Sequence, residues 1–263
     1  MLKLKLSVIL LLITITFFFV PSALADDSSQ FPHQIQRLSN QQQRFILFIL
    51  SNIDIVNDEI IDQRAELLDA YHDFKDGKSL GPFDYAWLSE LAFEYKVNDP
   101  DFTQPSTWLT LLNRVDTIPP SLVIAQAINE SAWGTSRFAV EGNNYFGQWC
   151  YSPGCGLIPR DRKTGIIYEV QRYSDSLSSV WGYANNLNTF DAYQDFRTRR
   201  ALLRREGKAV IGLDLIGTLS SYSEVRGEYI NRITGIITSL NLTQYDIKDL
   251  PDSVRAGLGH RGA

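Results

Sequence analysis

The residues best suited to chemistry crowd into one stretch, between Glu130 and Cys155. Glu130 stands near the end of an apolar run that opens behind the double proline Pro119-Pro120 and reads as a helix from about Ser121 to Gly134. Leu122, Ala125, Ile128 and Ala132 recur at three- and four-residue intervals and mark its buried face, and Glu130 lies off that stripe. Gln126, Ala127 and Trp133 are one turn away on the side of Glu130. A carboxylate in such company suits an acid whose proton is retained by burial. The plainer reading is a surface glutamate, solvated or paired with Arg137. Downstream, Asn143, Asn144, Tyr145, Phe146, Gly147, Gln148 and Trp149 interleave amides with aromatic rings. That composition suits a sugar-binding cleft and equally an ordinary turn over a core. In the first reading Trp133, Tyr145 and Phe146 surround Glu130, while Asn144, Tyr145 and Gln148 touch substrate.

Other chemistries lack their parts. A thiol nucleophile needs a histidine base, and His33, His72 and His260 all fall outside residues 119–245. No His/Cys cluster has metal-ligand spacing, so neither a metal nor a cofactor is implied. The formal charge of −5 is a poor match to nucleic acid, whose affinity is carried by Lys and Arg on phosphates.

The first 25 residues have a basic start at Lys3 and Lys5, an apolar stretch from Ser7 to Val20, and a small-residue cleavage site at Ala23-Leu24-Ala25. This predicts a signal peptide cut before Asp26 and a periplasmic or otherwise exported protein with no stable membrane span afterwards. The apolar stretch falls short of the ~20 residues that a spanning helix needs. Cleavage removes two lysines and no acids, which leaves the remainder more acidic still. In an exported protein Cys150 and Cys155, close together around a Ser-Pro-Gly turn, are expected to form a disulfide.

The run AQAINESAWGTSRFA followed by NNYFGQW resembles the glucosaminidase family of bacterial peptidoglycan hydrolases, and within it the Bax-like proteins. The resemblance covers about 118–240. It implies a lysozyme-like fold, peptidoglycan glycan strands as partner, and Glu130 as catalytic acid, by its place in the ES-x-WG motif. It also implies a second carboxylate on a β-hairpin and a tyrosine near the last helix. Glu169 is preferred for the carboxylate over Asp161 and Glu141, with the substrate's own N-acetyl group as the alternative. Tyr229, within Arg226-Gly227-Glu228-Tyr229, takes the tyrosine's place, and Tyr193 is a weaker substrate contact. The implied activity is cleavage of β-1,4 bonds next to N-acetylglucosamine. A lytic transglycosylase on the same fold and a non-catalytic wall-binding protein are the rival readings.

The elements that must position these residues are mostly helices. Residues 40–74 and 85–95 carry helical spacing, and Ser106 is expected to cap a third helix through Leu112. With residues 26–39 these form an N-terminal helical extension, 26–115, packed on a catalytic domain, 116–245. A Thr164-Gly165 turn between extended runs predicts one small hairpin over 156–173. Helices then follow behind Ser174-Asp175, with Trp181 on a core face, from about Ala192 to Arg205, and from Glu228 to Leu240. The tail, 246–263, is expected to be flexible. The class is mainly α (α+β).

Overall fold

The computed structural model describes residues 33–160, 162, 165, 167–219, 222 and 226–246. The expected signal peptide, Asp161, Thr164 and residues 247–263 lie outside the described residues. Helix α2 (Asn40–Lys75) is the longest element, capped by a reciprocal Ser39–Gln42 pair. Phe45, Ile49, Val56, Ile60 and Leu67 keep helical spacing along it and are buried, as the sequence pattern predicts. Ahead of it lies a short helix α1 (His33–Gln36), whose Ile35 docks fully into the core. Helices α3 (Pro82–Glu94) and α4 (Pro105–Arg114) follow. Each opens on a proline in its first turn, so the caps are Gly81 and Gln104, and Ser106 falls inside α4 rather than capping it.

Helix α5 (Pro120–Ser131) runs through the middle, and every residue from Pro120 to Ile128 is buried. It is followed by the short α6 (Arg137–Gly142), then α7 (Ser176–Thr189), α8 (Gln194–Arg205), α9 (Gly212–Leu215) and α10 (Arg226–Ser239). Asp175 caps α7 as expected, accepting the Ser178 N–H at 2.7 Å. The heaviest packing of α2 is on α7 and α5, and one hydrophobic core takes residues from both the predicted extension and the predicted catalytic domain. The architecture is mainly α, in keeping with the lysozyme-like class. Among the described residues, no helix is long and apolar enough to cross a membrane.

The sheet has three short strands rather than a lone hairpin: β1 (Trp149–Cys150), β2 (Gly156–Leu157) and β3 (Glu169–Gln171), antiparallel in the order β1-β3-β2. Strands of two or three residues are too short to carry an alternating signal, so β1 left no trace in the sequence pattern. At Gly156 a Cβ would lie 2.0 Å from the Val170 carbonyl oxygen, so glycine alone permits that pairing.

The start of α5 is fixed by two buried polar groups. Asn57 of α2 grips the backbone of Ile118, donating to its carbonyl at 2.9 Å and accepting its N–H at 3.0 Å. Asp246 accepts the Ser121 N–H at 2.8 Å, the Ser121 hydroxyl at 2.6 Å and the Gly212 N–H at 3.0 Å. It thereby supplies the anionic cap that Pro119 cannot give. Read from the sequence as the first residue of a flexible tail, Asp246 is instead a buried anchor.

Asp116, just before α5, is buried among three arginines: both its oxygens accept from Arg204 Nε, at 2.8 and 2.7 Å, and Arg200 and Arg64 stand at 3.5 and 4.0 Å. Burial pushes its carboxyl up, and the guanidiniums of Arg200, Arg204 and Arg64 together outweigh this and hold it below the usual range. Arg200, itself fully buried, also donates to the backbone of Asp116, Thr117 and Asn113. Removing the carboxylate strands a buried cation, so Asp116→Asn should cost about 3–5 kcal/mol in denaturant unfolding. Since its folded pKa is depressed, the wild-type contribution is complete above the unfolded value of ~3.9 and fades as pH falls through the lower native one. Asp116→Asn should therefore unfold with a weaker pH dependence below that point.

Candidate active site

Glu130 occupies the last turn of α5, and the chain beyond it is unusual. Ala132, Trp133 and Gly134 all have left-handed backbone, with φ of 50°, 59° and 75°. The first two are not glycines, and each costs about 1–3 kcal/mol and persists only because its surroundings enforce it. Ser131 is one enforcer: its hydroxyl donates to the Ala127 carbonyl at 2.6 Å and accepts the Gly134 N–H at 2.7 Å. Phe45 of α2 is another. Its ring meets Trp133 edge-on at 6.3 Å, and a Cβ on Gly134 would come within 2.7 Å of it. The helix thus stops one residue earlier than its apolar stripe implied, and Ala132, expected on the buried face, is exposed.

The Glu130 carboxyl is half-buried, and burial pushes its pKa up. Three groups oppose that shift. Asn129 Nδ2 donates to Oε1 at 2.9 Å, the nearby Tyr229 hydroxyl favours the ionised form, and Arg232 adds positive charge. Arg137, the partner in the plain reading, instead pairs with Glu141 at 3.5 Å, which leaves Glu141 on the exposed side of α6. Four tyrosines gather on the other side of the carboxyl. Tyr222 stacks on Tyr229 at 5.4 Å and meets Tyr193 and Tyr183 at 6.1 and 6.4 Å. Burial pushes all four phenols up, Tyr193 to about 12, and the charge of Glu130 adds to each.

The rings expected around Glu130 pack against other elements. Trp133 and Tyr145 turn toward Phe45 and Phe48 of α2, and Phe146 is buried in a 4.1 Å stack on Tyr183. The amides are similarly engaged. Asn144 donates to the carbonyls of Gln148 and Gln171 and accepts the N–H groups of Phe146 and Gln148. Gln148 donates to the Gly182 carbonyl at 3.1 Å and accepts from the Tyr173 hydroxyl. The run from Asn144 to Gln148 therefore builds a rigid turn, tied further by the Tyr222 hydroxyl on the Phe146 carbonyl at 3.0 Å. Its product is the position of Gly147, whose added Cβ would lie 3.5 Å from Glu130 Oε2.

Beyond the turn, Trp149 is half exposed and lies flat on Tyr168, with centroids 4.4 Å apart and planes within 13°. Cys150 and Cys155 are joined in a disulfide. Glu169, paired across the sheet with Cys150, is 5% exposed and bonds the N–H of Gly154 at 3.1 Å and of Gly156 at 2.8 Å. These bonds hold its carboxyl below the usual range and secure the disulfide loop. Among the described residues Cys150, Cys155 and Glu169 come nearest to a metal-ligand set, but the two sulfurs are bonded to each other. Trp181 packs against the core, as its spacing predicts, and Tyr193 sits close enough to Glu130 to feel its charge.

The sequence pattern did not reveal Tyr183 or Arg232 as neighbours of Glu130, since they come from α7 and α10, whereas Asn129, adjacent on α5, was readable and missed. Gly134→Ala should lower stability by about 1–3 kcal/mol in thermal unfolding, from the left-handed φ and the Phe45 ring together.

A family model described as mannosyl-glycoprotein endo-beta-N-acetylglucosaminidase (Glucosaminidase) matches residues 107–242. Protein bax of Escherichia coli K12 is 39% identical over 150 residues, which are 57% of this chain. The matched segment spans about half, 53%, of that relative. No solved structure gives a match. The matched region holds α5, the three strands, the tyrosine cluster and α10, and on that match the chain belongs to the glucosaminidase family.

Proposed function

We propose that the protein is an exported glycoside hydrolase of peptidoglycan, cleaving β-1,4 bonds next to N-acetylglucosamine, with Glu130 as the general acid. The observation that supports this most is the Glu130 carboxyl itself: half-buried, raised in pKa by that burial, and hydrogen-bonded by Asn129. An acid whose burial favours the protonated form can give its proton to the bridging oxygen as the C1–O bond breaks. The sugar carbon left behind is cationic. Among the described residues Arg232 is the charge that bears on Glu130, and Glu169 is committed to the amides of the disulfide loop. We therefore assign the stabilisation of that carbon to the carbonyl oxygen of the substrate's N-acetyl group. Tyr229 favours the carboxylate that remains, Glu169 braces the disulfide loop, and water completes hydrolysis, its proton returning to Glu130.

Glycan contact falls to rings that remain accessible. Trp149, flat and half exposed two residues beyond Gly147, offers a face on which a pyranose stacks, while Asn144 and Gln148 act by shaping the turn.

Glu130→Gln should lower muropeptide release from purified sacculi by about 10²–10⁴-fold. Thermal stability should hold or rise, because the ionised carboxylate is penalised by burial. Wild-type turnover should decline as pH climbs through the raised Glu130 pKa, since the protonated form is the active one. Normal cleavage by the variant would end the assignment, and products ending in an anhydro-sugar would make the enzyme a lytic transglycosylase. Trp149→Ala should raise KM several-fold with kcat little changed, measured on soluble glycan fragments.

A further inference from the structure

A cavity of about 300 Å³ opens at the first turn of α5, at the opposite end of that helix from Glu130. Ile61 and Leu68 of α2, the pair Pro119-Pro120 and Val210 make its apolar wall. Ile61 is 39% exposed, an aliphatic side chain that its own helix leaves uncovered. The prolines lack an N–H, so their side of the cavity suits a side chain better than a paired strand. Arg64, Arg204 and Asp116 form the polar edge. Arg64, Arg200 and Arg204 all pair with Asp116, and Asp246 is the second acid in the wall, so this edge keeps one positive charge in excess. Asp246 is also the last residue described before 247–263. The sequence runs on from it as Ile247-Lys248-Asp249-Leu250-Pro251-Asp252, two aliphatic residues three apart among two acids and one base.

We propose that this cavity is the docking site of the chain's own segment 247–252, with Ile247 and Leu250 covering the apolar wall and Asp249 and Asp252 answering Arg64 and Arg204. The segment's net charge of −1, two acids against one base, matches the excess on the edge. Reach is no obstacle: residues 247–250 span at most ~14 Å when extended, and the first is bonded to a residue of the wall. That tether favours the tail over a free partner, because docking is then intramolecular and gives up little further freedom. Burial of the two aliphatic side chains supplies the stabilisation. The ion pairs, formed to partly exposed guanidiniums, contribute little and set the register. A docked tail holds Asp246 where it accepts the Ser121 and Gly212 N–H groups, and so secures the start of α5. The inference concerns how that helix is mounted and stands apart from the reaction proposed for Glu130.

The test is methyl NMR on the full chain, which needs no activity and no substitution to begin. Methyl groups of Ile247 and Leu250 should show through-space contacts to those of Ile61, Leu68 and Val210. Ile247→Ser combined with Leu250→Ser should abolish these contacts and lower the melting temperature by about 5 °C or more, since two buried aliphatic side chains are lost. Leu258→Ser, farther along the tail, should leave both the contacts and the melting temperature as they are. Leu250 methyls at free-chain shifts, with no contact to the cavity, overturn the proposal, and so does a double variant that melts with the wild type. Contacts to the cavity from Phe31 instead would give the site to the segment ahead of α1 and overturn it equally. A sample mixing two differently labelled populations covers the last occupant: contacts that arise only between molecules make the site an interface between two copies, and the proposal fails.

Discussion

A helix with almost no contact with water has to be held at its ends, and the rest of the molecule follows from how α5 is held. At its start, Asn57 takes both backbone groups of Ile118 and Asp246 caps Ser121. At its finish, Ser131 and the Phe45 ring enforce three successive left-handed residues. Two of these four restraints, Asn57 and Phe45, belong to α2. That helix lies outside the segment matched by the family model, yet it spans α5 from beginning to end. The extension is therefore the cradle of the acid's helix, and the shared core joins them physically.

The ES-x-WG motif gains a mechanical reading from this arrangement. Its glutamate supplies the carboxyl, and its serine closes the helix by bonding backwards and forwards. Its tryptophan and glycine accept a backbone that most residues avoid, and they place one face against Phe45. The motif is a helix terminator that locks the glutamate's direction. Opposite it, the Asn144–Gln148 turn spends all its hydrogen bonds on itself and its neighbours, and it brings a glycine up to the carboxyl. Both sides of the acid are rigid before any substrate arrives, which is the condition for electrostatic preorganisation.

Much of this was legible in the residues. The periodicity of α2 and α5, the Asp175 cap and the Cys150–Cys155 bridge are local features, and local features leave sequence signals. The position of Glu130 off the stripe was readable for the same reason. What stayed hidden was non-local. Asn144 and Gln148 look like sugar contacts because amides bind sugars, and only the fold reveals that their hydrogen bonds are taken internally. Trp133 sits one turn from Glu130 on an ideal helix, but the left-handed turn after Ser131 sends it to α2. The tyrosines that replace it come from α7, α10 and the segments between, whose convergence no spacing rule encodes. Asp246 resembled the start of an unpatterned tail because its partners are so far away in the chain.

That distance has a consequence for how the molecule is made. The cap on Ser121 is contributed by a residue 125 positions later. A ribosome delivers the chain from its first residue onward, so α5 emerges with the Ser121 amide unanswered and stays so until Asp246 has been added. Contacts of such wide separation form late because the entropy of closing the loop must be met first. A nascent or clipped polypeptide lacking Asp246 would carry every residue of the ES-x-WG motif while its central helix remained untethered at one end.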